Sequence, residues 1–503
     1  MTISYLQPNQ PDVLEVIANL SNDAVFTPPR VVNDVLDLLP EEVWTNPELR
    51  WLDPCSKTGV FPREVTKRLM EGLSQVIPDE TERLTHILSN MVFAIATEEI
   101  TAMMTRRSLY CSKNASSEHS AVQLSTPAGR VWHERVEHKF NDKGRCVECN
   151  GTSEKLEVEG QDNKAYGPIH AAGRERLAKE FMMKFDVVIG NPPYQMADGG
   201  PGGSASPIYN LFVEEAIKLN PRFVAMIIPS KWFVGGKGLR EFRTAMRSDR
   251  RLRAIVDYQD ARSLFPTINL NGGINYFLWD REHDGPCEIT SVGTSGESTT
   301  LTRFLDTWDV VVRQNEAVSI LEKVLSRDED TFEDLVSNLR PFGLRTYFRG
   351  KSRKPSSDPV ELFQNGGKAW VKRSELEANV EWVDRWKVLI PRGTDGNEIY
   401  PLPVLTEPIV AGPGTACTET YLVVGPVKSK TEAERVAAYM KTRFFRFLLS
   451  LRKPTQDNSR EKFSFIPRLA FDRIWTDEEL YAKYGITKAE QAYIASMIKG
   501  MPS

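Results

Sequence analysis

Four consecutive residues, Asn191, Pro192, Pro193 and Tyr194, close an apolar run that spans Asp186 to Ile189 and is bounded by Gly190. An amide, two rigid rings and a phenol are an unusual end for a buried strand. Their chemistry fits an amine on an aromatic ring. The exocyclic nitrogen of adenine is a poor nucleophile, because its lone pair is spread into the ring. Two acceptors placed on its two hydrogens draw that pair back onto nitrogen. The side-chain oxygen of Asn191 is one candidate and the backbone carbonyl of Pro192 the other. Two prolines fix φ, so that carbonyl is held in place. Tyr194 offers a flat face for a base taken out of its stack. All four residues are candidate catalytic residues; a rigid turn capped by Asn would need no tyrosine.

A second constellation lies upstream. A strand ending in Asp53-Pro54 runs into "CSKTGVF" and a helix, the arrangement of a ligand loop at the carboxyl edge of an α/β sheet. Gly59 would let the backbone approach a ligand, and the helix N-terminus favours a carboxylate or phosphate. The next strand ends in Thr97-Glu98-Glu99. An acid there can bind ribose hydroxyls; Glu98 is preferred over Glu99.

The third constellation is metal-like. Between residues 111 and 170 lie three of the six cysteines and four of the six histidines. Cys146 and Cys149 sit on a Gly-flanked turn, the knuckle that lets two thiolates face one tetrahedral zinc. His138 is the expected third ligand. The fourth is Cys111 or His133, with Cys111 favoured because it ends the preceding helix. No position is spared for a catalytic water, so such a zinc would be structural. A redox pair or two unrelated thiols are the other readings of this CxxC.

The elements that must position these groups alternate. Strand-then-helix patterns recur from "LRWLDPCSKTGVFPREVTKRLMEGL" through "NMVFAIATEEITAMMTRRSLY" to "RFVAMIIPSKWF", "LRAIVDYQD" and "GGINYFLWD". Such alternation predicts βαβ units and a mainly parallel sheet. From about residue 300 the chain becomes richer in tryptophan, basic residues and turns, and "KTEAERVAAYMKTRFFRFLLSL" reads as one helix. The expected organisation is an extension over 1–25, a catalytic domain over 26–300 with a Cys/His insert at 111–180, and a recognition domain over 301–503.

"DPCSKTGVF", "TEE" and "NPPY", in that order, resemble the motifs of the S-adenosylmethionine-dependent adenine-N6 DNA methyltransferases of restriction–modification systems. The resemblance covers roughly residues 26–281 and follows the γ arrangement. It implies that Asp53, Pro54, Lys57 and Gly59 bind the methionine part of the cofactor and that Glu98 binds its ribose. It also implies that Phe26, Thr27 and Pro28 of "FTPP" close over the cofactor, that the Asn-Pro-Pro-Tyr loop holds a flipped adenine, and that recognition of the DNA site follows the catalytic domain. The implied fold is a Rossmann-like methyltransferase sheet with a Cys/His insert, plus a mixed α+β C-terminal DNA-recognition domain. The family loop usually carries two glycines, and Lys57 replaces the first, where its ammonium could neutralise the cofactor carboxylate. Phe265 is a candidate second face for the base, or a core residue.

Double-stranded DNA is the implied partner, with a separate restriction subunit (nuclease or helicase) possible by the same resemblance. The net charge of −4 excludes a bulk-charge argument for DNA binding, so local patches must serve. In "LRPFGLRTYFRGKSRK" (339–354) six basic residues and no acids surround Phe342, Tyr347 and Phe348. Arg345, Tyr347, Arg349, Lys351 and Arg353 are the candidate DNA contacts. "KTRFFRFLLSLRK" (441–453) is a weaker candidate, because its phenylalanines also suit a core. There is no signal-like start and no apolar stretch long enough for a bilayer, so a cytoplasmic protein is expected. The short stretch before "FTPP" and the lack of an Asp…Glu-x-Lys cluster argue against a nuclease. Other functions that fit are methylation of a protein glutamine and a DNA-reading subunit that has lost catalysis.

Overall fold

A computed structural model describes residues 26–133, 136–156, 166–181, 184–195, 206–266, 270, 272–393, 400–453 and 457–501. The expected extension, 1–25, lies outside them. The chain forms two compact units, Met1–Val311 and Val312–Ser503. The sequence reading placed its boundary at 300, before the end of a hairpin that the first unit retains.

The first unit is built on a nine-stranded sheet. Its strands are β1 (Trp51–Ser56), β2 (Val92–Ala96), β3 (Val131–Trp132), β4 (Val187–Gly190), β5 (Phe223–Pro229), β6 (Leu252–Tyr258), β7 (Ile274–Asp280), β8 (Cys287–Val292) and β9 (Ser298–Arg303). They lie in the order β3-β2-β1-β4-β5-β7-β6-β8-β9. The first five pair in parallel, as the alternation predicts. β7 is antiparallel to both neighbours, and β8–β9 is a hairpin. A parallel β7 would need a crossover element. Residues 259–273 hold, among those described, only the single turn Ala261–Ser263, so the chain folds straight back.

Side chains alternate across the sheet. Trp51, Val187, Ile189, Ala225 and Ile227 enter one buried cluster, and Leu52, Val188, Val224, Met226 and Ile228 enter another. Both faces are covered, which is why the central strands read as continuous apolar runs. Outside β5, "SKWF" is a single 3₁₀ turn rather than more strand. β1 runs on through Pro54 to Ser56, with its pairing to β2 shifted between Asp53 and Ser56. Proline has no N–H for the ladder, so an irregularity there is the expected accommodation.

The region 111–180 is not wholly an insert. Val131 and Trp132 form the strand next to β2, and the Cys/His knuckle follows it.

The second unit carries two three-stranded sheets, built from Pro359–Gln364, Gly367–Lys372 and Thr415–Cys417, and from Trp386–Pro391, Ile409–Ala411 and Tyr421–Val427. The long helix expected after residue 430 is two helices, Lys430–Lys441 and Arg443–Ser450. Thr442 breaks it. Its hydroxyl accepts from Phe445 N at 3.2 Å and donates to Tyr439 O at 2.7 Å, capping the second helix as it closes the first.

Candidate active site between β1 and β4

The strand order reverses between β1 and β4: the chain builds outward from β1 to β3 on one side and from β4 on the other. In open α/β sheets the ligand crevice opens at such a switch point, outside the carboxyl ends of the strands. The two loops singled out from the sequence are the ones that leave β1 and β4. Residues 136 apart in sequence are thereby set side by side, through Trp51 paired with Val187 and Leu52 with Val188.

A cleft there is lined by Thr27, Asp53, Cys55, Lys57, Gly59, Phe61 and Asn191. Asn191 is 4% exposed. Its Nδ2 donates to Thr27 Oγ1 at 2.9 Å, and its Oδ1 is buried without a hydrogen-bond partner among the described residues. Buried acceptors are almost always satisfied, so an orphan on a residue that lines a cleft marks a place for a donor. The Tyr194 hydroxyl is likewise buried, beside the Asn191 side chain, and burial raises its pKa so that it stays protonated. Tyr194 is nearly enclosed at 8% exposure, in the same cluster as Phe265, Val31 and Val35. Phe265 is thus a core residue in this conformation, and neither ring is an open platform. Pro192 and Pro193 follow Gly190 in extended loop, beside Asn191.

Gly190 has a steric role that the sequence reading passed over. A Cβ there would lie 2.9 Å from both Asp53 Oδ1 and Cys55 Sγ. The bare backbone lets the two loops touch.

Asp53 Oδ1 accepts from Cys55 N at 3.1 Å. Burial pushes its carboxyl up to about 7, against the pull of the Cys55 amide, Ser56 and the Lys57 ammonium. The folded protein therefore holds this proton to near neutrality, whereas the unfolded chain releases it near the ordinary carboxylate value. Stability should fall as pH rises from about 4 to about 7, and a bound cation should tighten over the same interval as Asp53 ionises. Melting curves of wild type and Asp53→Asn at about pH 5 and about pH 8 check this: the variant should lose less on going to the higher pH.

Lys57 lies partly buried beside these groups. Burial lowers its ammonium pKa, and the charges of Cys55, Asp53 and Glu98 oppose that. Glu98 is thus near enough to act on the Lys57 charge, whereas Glu99 acts on Arg106. The backbone explains the split: Glu98 is the N-cap of the helix Glu99–Tyr110, in extended conformation, and Glu99 has already turned into the helix. Pro54 is buried in β1. Gly59 does not open a gap towards a ligand. It has φ +77°, and a Cβ there would meet Thr105 Cα at 2.8 Å. Its missing side chain seats that helix, which also binds the loop through Ser108 Oγ to Thr58 O at 2.5 Å and Ser56 Oγ to Thr105 Oγ1 at 3.1 Å.

Phe26, Thr27 and Pro28 lead into the helix Pro29–Leu36. Asn33 and Arg68 tie that helix to Val60–Gly72: Asn33 Nδ2 donates to Glu64 Oε2 at 3.2 Å, and Arg68 Nη2 to Asn33 Oδ1 at 2.9 Å. Sequence reading put Thr27 near a cofactor but missed its bond to Asn191, which no local pattern signals. It also missed a buried network at the ends of β5 and β6, where Ser230 Oγ donates to Asp257 Oδ1 at 2.6 Å and Asn275 Nδ2 to Ser230 Oγ at 3.0 Å.

Beyond the sheet, His138, Cys146, Cys149 and His170 place one ligand atom each within 4.8 Å of one another. Cys111 and His133, the expected alternatives for the fourth place, are not in this set. Cys111 is exposed, in left-handed conformation just past its helix, and His133 Nδ1 lies 3.4 Å from Ala96 O.

The family model of the Eco57I restriction-modification methylases matches residues 90–265. A Mycoplasma pneumoniae protein named as an uncharacterized adenine-specific methylase is 35% identical over 352 residues, covering 65% of this chain and 83% of the relative. The chain belongs to the adenine-specific methylases of restriction–modification systems. Among solved structures, a nuclease-deletion mutant of the Type ISP restriction-modification enzyme LlaGI, in complex with a DNA substrate mimic, matches the fold. Its TM-score is 0.50 at 12% identity, over 92% of the methylase but 46% of that chain. The methylase thus spans just under half the length of that enzyme. No helix among its described residues is long and apolar enough to cross a membrane.

In the second unit of the methylase, Arg345, Tyr347, Arg349, Lys351 and Arg353 are all exposed, Tyr347 at 79%. Phe342 is fully buried and takes no part in that surface. In the stretch 441–453 the three phenylalanines are core, and two of the five basic residues are buried with them. Arg446 donates to Lys499 O at 2.7 Å and Lys441 O at 3.0 Å, a structural clamp that no phosphate can reach. Arg452 lies over the Phe465 ring.

Proposed function

We propose that this methylase transfers the methyl group of S-adenosylmethionine to N6 of an adenine flipped out of a specific site in double-stranded DNA. The observation that carries the reading is the orphaned Asn191 Oδ1, on an amide fixed by Thr27 in a residue that lines the cleft. When bound, the cofactor supplies an electrophilic methyl on a sulfonium. The donor set suits it: Asp53 and Glu98 offer carboxylates to its cationic and ribose groups, and Lys57 offers a cation to its carboxylate. Asn191 Oδ1 and the Pro192 carbonyl then accept the two N6 hydrogens and return the lone pair to nitrogen. Thr27 holds the amide so that oxygen, not nitrogen, meets the amine. Tyr194, with Phe265 behind it, would take the base against its ring, for which the two side chains must open from their packed state. No covalent enzyme intermediate is required.

In this reading the second unit recognises the DNA site through Arg345, Tyr347, Arg349, Lys351 and Arg353, and a separate restriction subunit would share it. Any metal in the His/Cys cluster, zinc by its ligand types, is structural, because four protein side chains fill its positions and leave none for a catalytic water. The site of action would be the cytoplasm, where chromosomal DNA is reached.

The test is nucleoside mass spectrometry of plasmid DNA from methylation-deficient cells expressing wild type or Asn191→Ala. N6-methyladenine in the first and none in the second supports the reading; its absence from both, with neighbouring subunits co-expressed, overturns it. Thr27→Val should lower kcat about 10-fold, because the amide is no longer held, and Thr27→Ser should restore it. Single-turnover rates at saturating cofactor measure the difference.

A further inference from the structure

We propose that His138, Cys146, Cys149 and His170 bind one zinc ion in a closed four-ligand site, and that this ion pins the insert to the loops of the cleft. The proposal goes beyond methyl transfer and does not depend on it.

Distances come first. Cys149 Sγ lies 3.5 Å from His138 Nδ1, and Cys146 Sγ 3.9 Å from His170 Nε2. Ligands on one tetrahedral zinc, at about 2.3 Å for sulfur and about 2.0 Å for nitrogen, stand about 3.6 Å apart. These two pairs stand near that spacing, and all four atoms lie within 4.8 Å of one another, so small side-chain rotations would close the shell. Their identity excludes hard cations, because two thiolates and two imidazoles in a compact set select zinc.

The tautomer of His170 is also set. Its Nδ1 lies 2.8 Å from Tyr166 O, so the ring proton is donated there and the Nε2 lone pair faces Cys146. Metal-binding histidines are oriented by this kind of outer bond. Glu148, between the cysteines, accepts from Ala171 N at 2.6 Å and holds the knuckle against the helix that starts just after His170.

Redox use of the pair is disfavoured. Both sulfurs are free thiols at 2% exposure, whereas a reactive CxxC needs an accessible thiolate. All four positions are filled by protein, which leaves none for a catalytic water.

The link to the cleft runs through a small apolar cluster. Cys146 and Cys149 share it with Cys55, Tyr166, Ile208 and Phe212. Cys55 lies in β1, under Gly190. Ile208 N donates to Tyr194 O at 3.2 Å, and Gln195 pairs with Pro207, so the segment carrying Ile208 clasps the catalytic loop. The Tyr166 and Phe212 rings are 5.7 Å apart. Loss of the ion should release the knuckle and slacken this clasp.

The experiment is elemental analysis of the full-length protein, purified without chelator, with hydrogen exchange before and after chelation. About one zinc per chain is expected. Cys149→Ser and His170→Ala should lose it, and Cys111→Ser and His133→Ala should keep it. If His170→Ala does not fold, His170→Cys, which can still ligate, should retain the ion. Cobalt(II) in place of zinc should give the intense visible bands of a tetrahedral thiolate site. Exchange at residues 191–195 and 206–212 should rise on chelation. Protein without zinc that takes up no cobalt with those bands overturns the site. Zinc kept by His170→Ala but lost from Cys111→Ser or His133→Ala overturns the ligand assignment. Unchanged exchange in those segments after zinc removal overturns the link to the catalytic loop. Methylation that fails while zinc remains stoichiometric would count against the function proposed above and leave this site standing.

Discussion

Asn191→Ala is expected to lower methyl transfer by two to three orders of magnitude, about the cost of removing one preorganised electrostatic partner. Cofactor affinity should change far less. The side chain lies 4% exposed with its amide nitrogen tied to Thr27, so the amide is already oriented. Truncation removes the acceptor and leaves the β1 loop intact. An effect on the chemical step rather than on binding should appear in single-turnover rates at saturating cofactor and DNA. A fall in cofactor affinity with an unchanged rate would mean that Asn191 only shapes the pocket. Asn191→Asp keeps an acceptor oxygen at this place but cannot donate to Thr27, and is expected to lie between wild type and the alanine variant.

Gly190→Ala should be nearly as damaging for a different reason. The new Cβ would stand 2.9 Å from Asp53 Oδ1 and from Cys55 Sγ, inside van der Waals contact with both. Neither neighbour is free to give way. Asp53 is buried and holds the Cys55 amide, and Cys55 is packed in the cluster beside the knuckle. The β1 and β4 loops must separate, and overpacking of this kind costs about 1–3 kcal/mol. On the proposed reading, cofactor affinity should fall about 10-fold or more, since Asp53 is displaced from the loop that carries Lys57 and Gly59. Calorimetric titration with S-adenosylmethionine and a thermal melt on the same sample separate lost binding from lost folding. Normal binding with a normal melt would show that the loops tolerate the methyl.

Much of the first unit could be read in its sequence, because buried parallel strands and amphipathic helices write themselves as runs and periods. Pairing could not. That β4 lies against β1 depends on a strand order no local pattern encodes, and with it goes the adjacency of the two loops. The same limit hid Thr27 from Asn191, partners 164 residues apart. Cys111 looked like a ligand because it ends a helix near the knuckle in sequence, yet its left-handed backbone leaves it exposed. His170, further along the chain, comes back to the knuckle. Glu98 and Glu99 were ambiguous in sequence, because which one caps the helix and which has entered it shows only in the backbone. In the second unit, composition misled: Arg446 counts as a positive charge in a basic run but spends its donors on buried carbonyls. Thr442 offered a cap signal inside an apolar stretch, and the hydrophobic pattern drowned it.

The locked amide of Asn191 also has a bearing on fidelity. An oxygen that cannot rotate away accepts a hydrogen bond from an amino group but confronts a carbonyl with lone pairs. Guanine carries an oxygen where adenine carries its amine, and hypoxanthine, the deaminated form of adenine, does too. Either base would set acceptor against acceptor in a place that water cannot relieve. A freely turning amide would present its NH₂ instead and admit them. Through one hydroxyl, the hold of Thr27 would thus make the cleft a filter for intact adenine, passing over both guanine and a base already damaged.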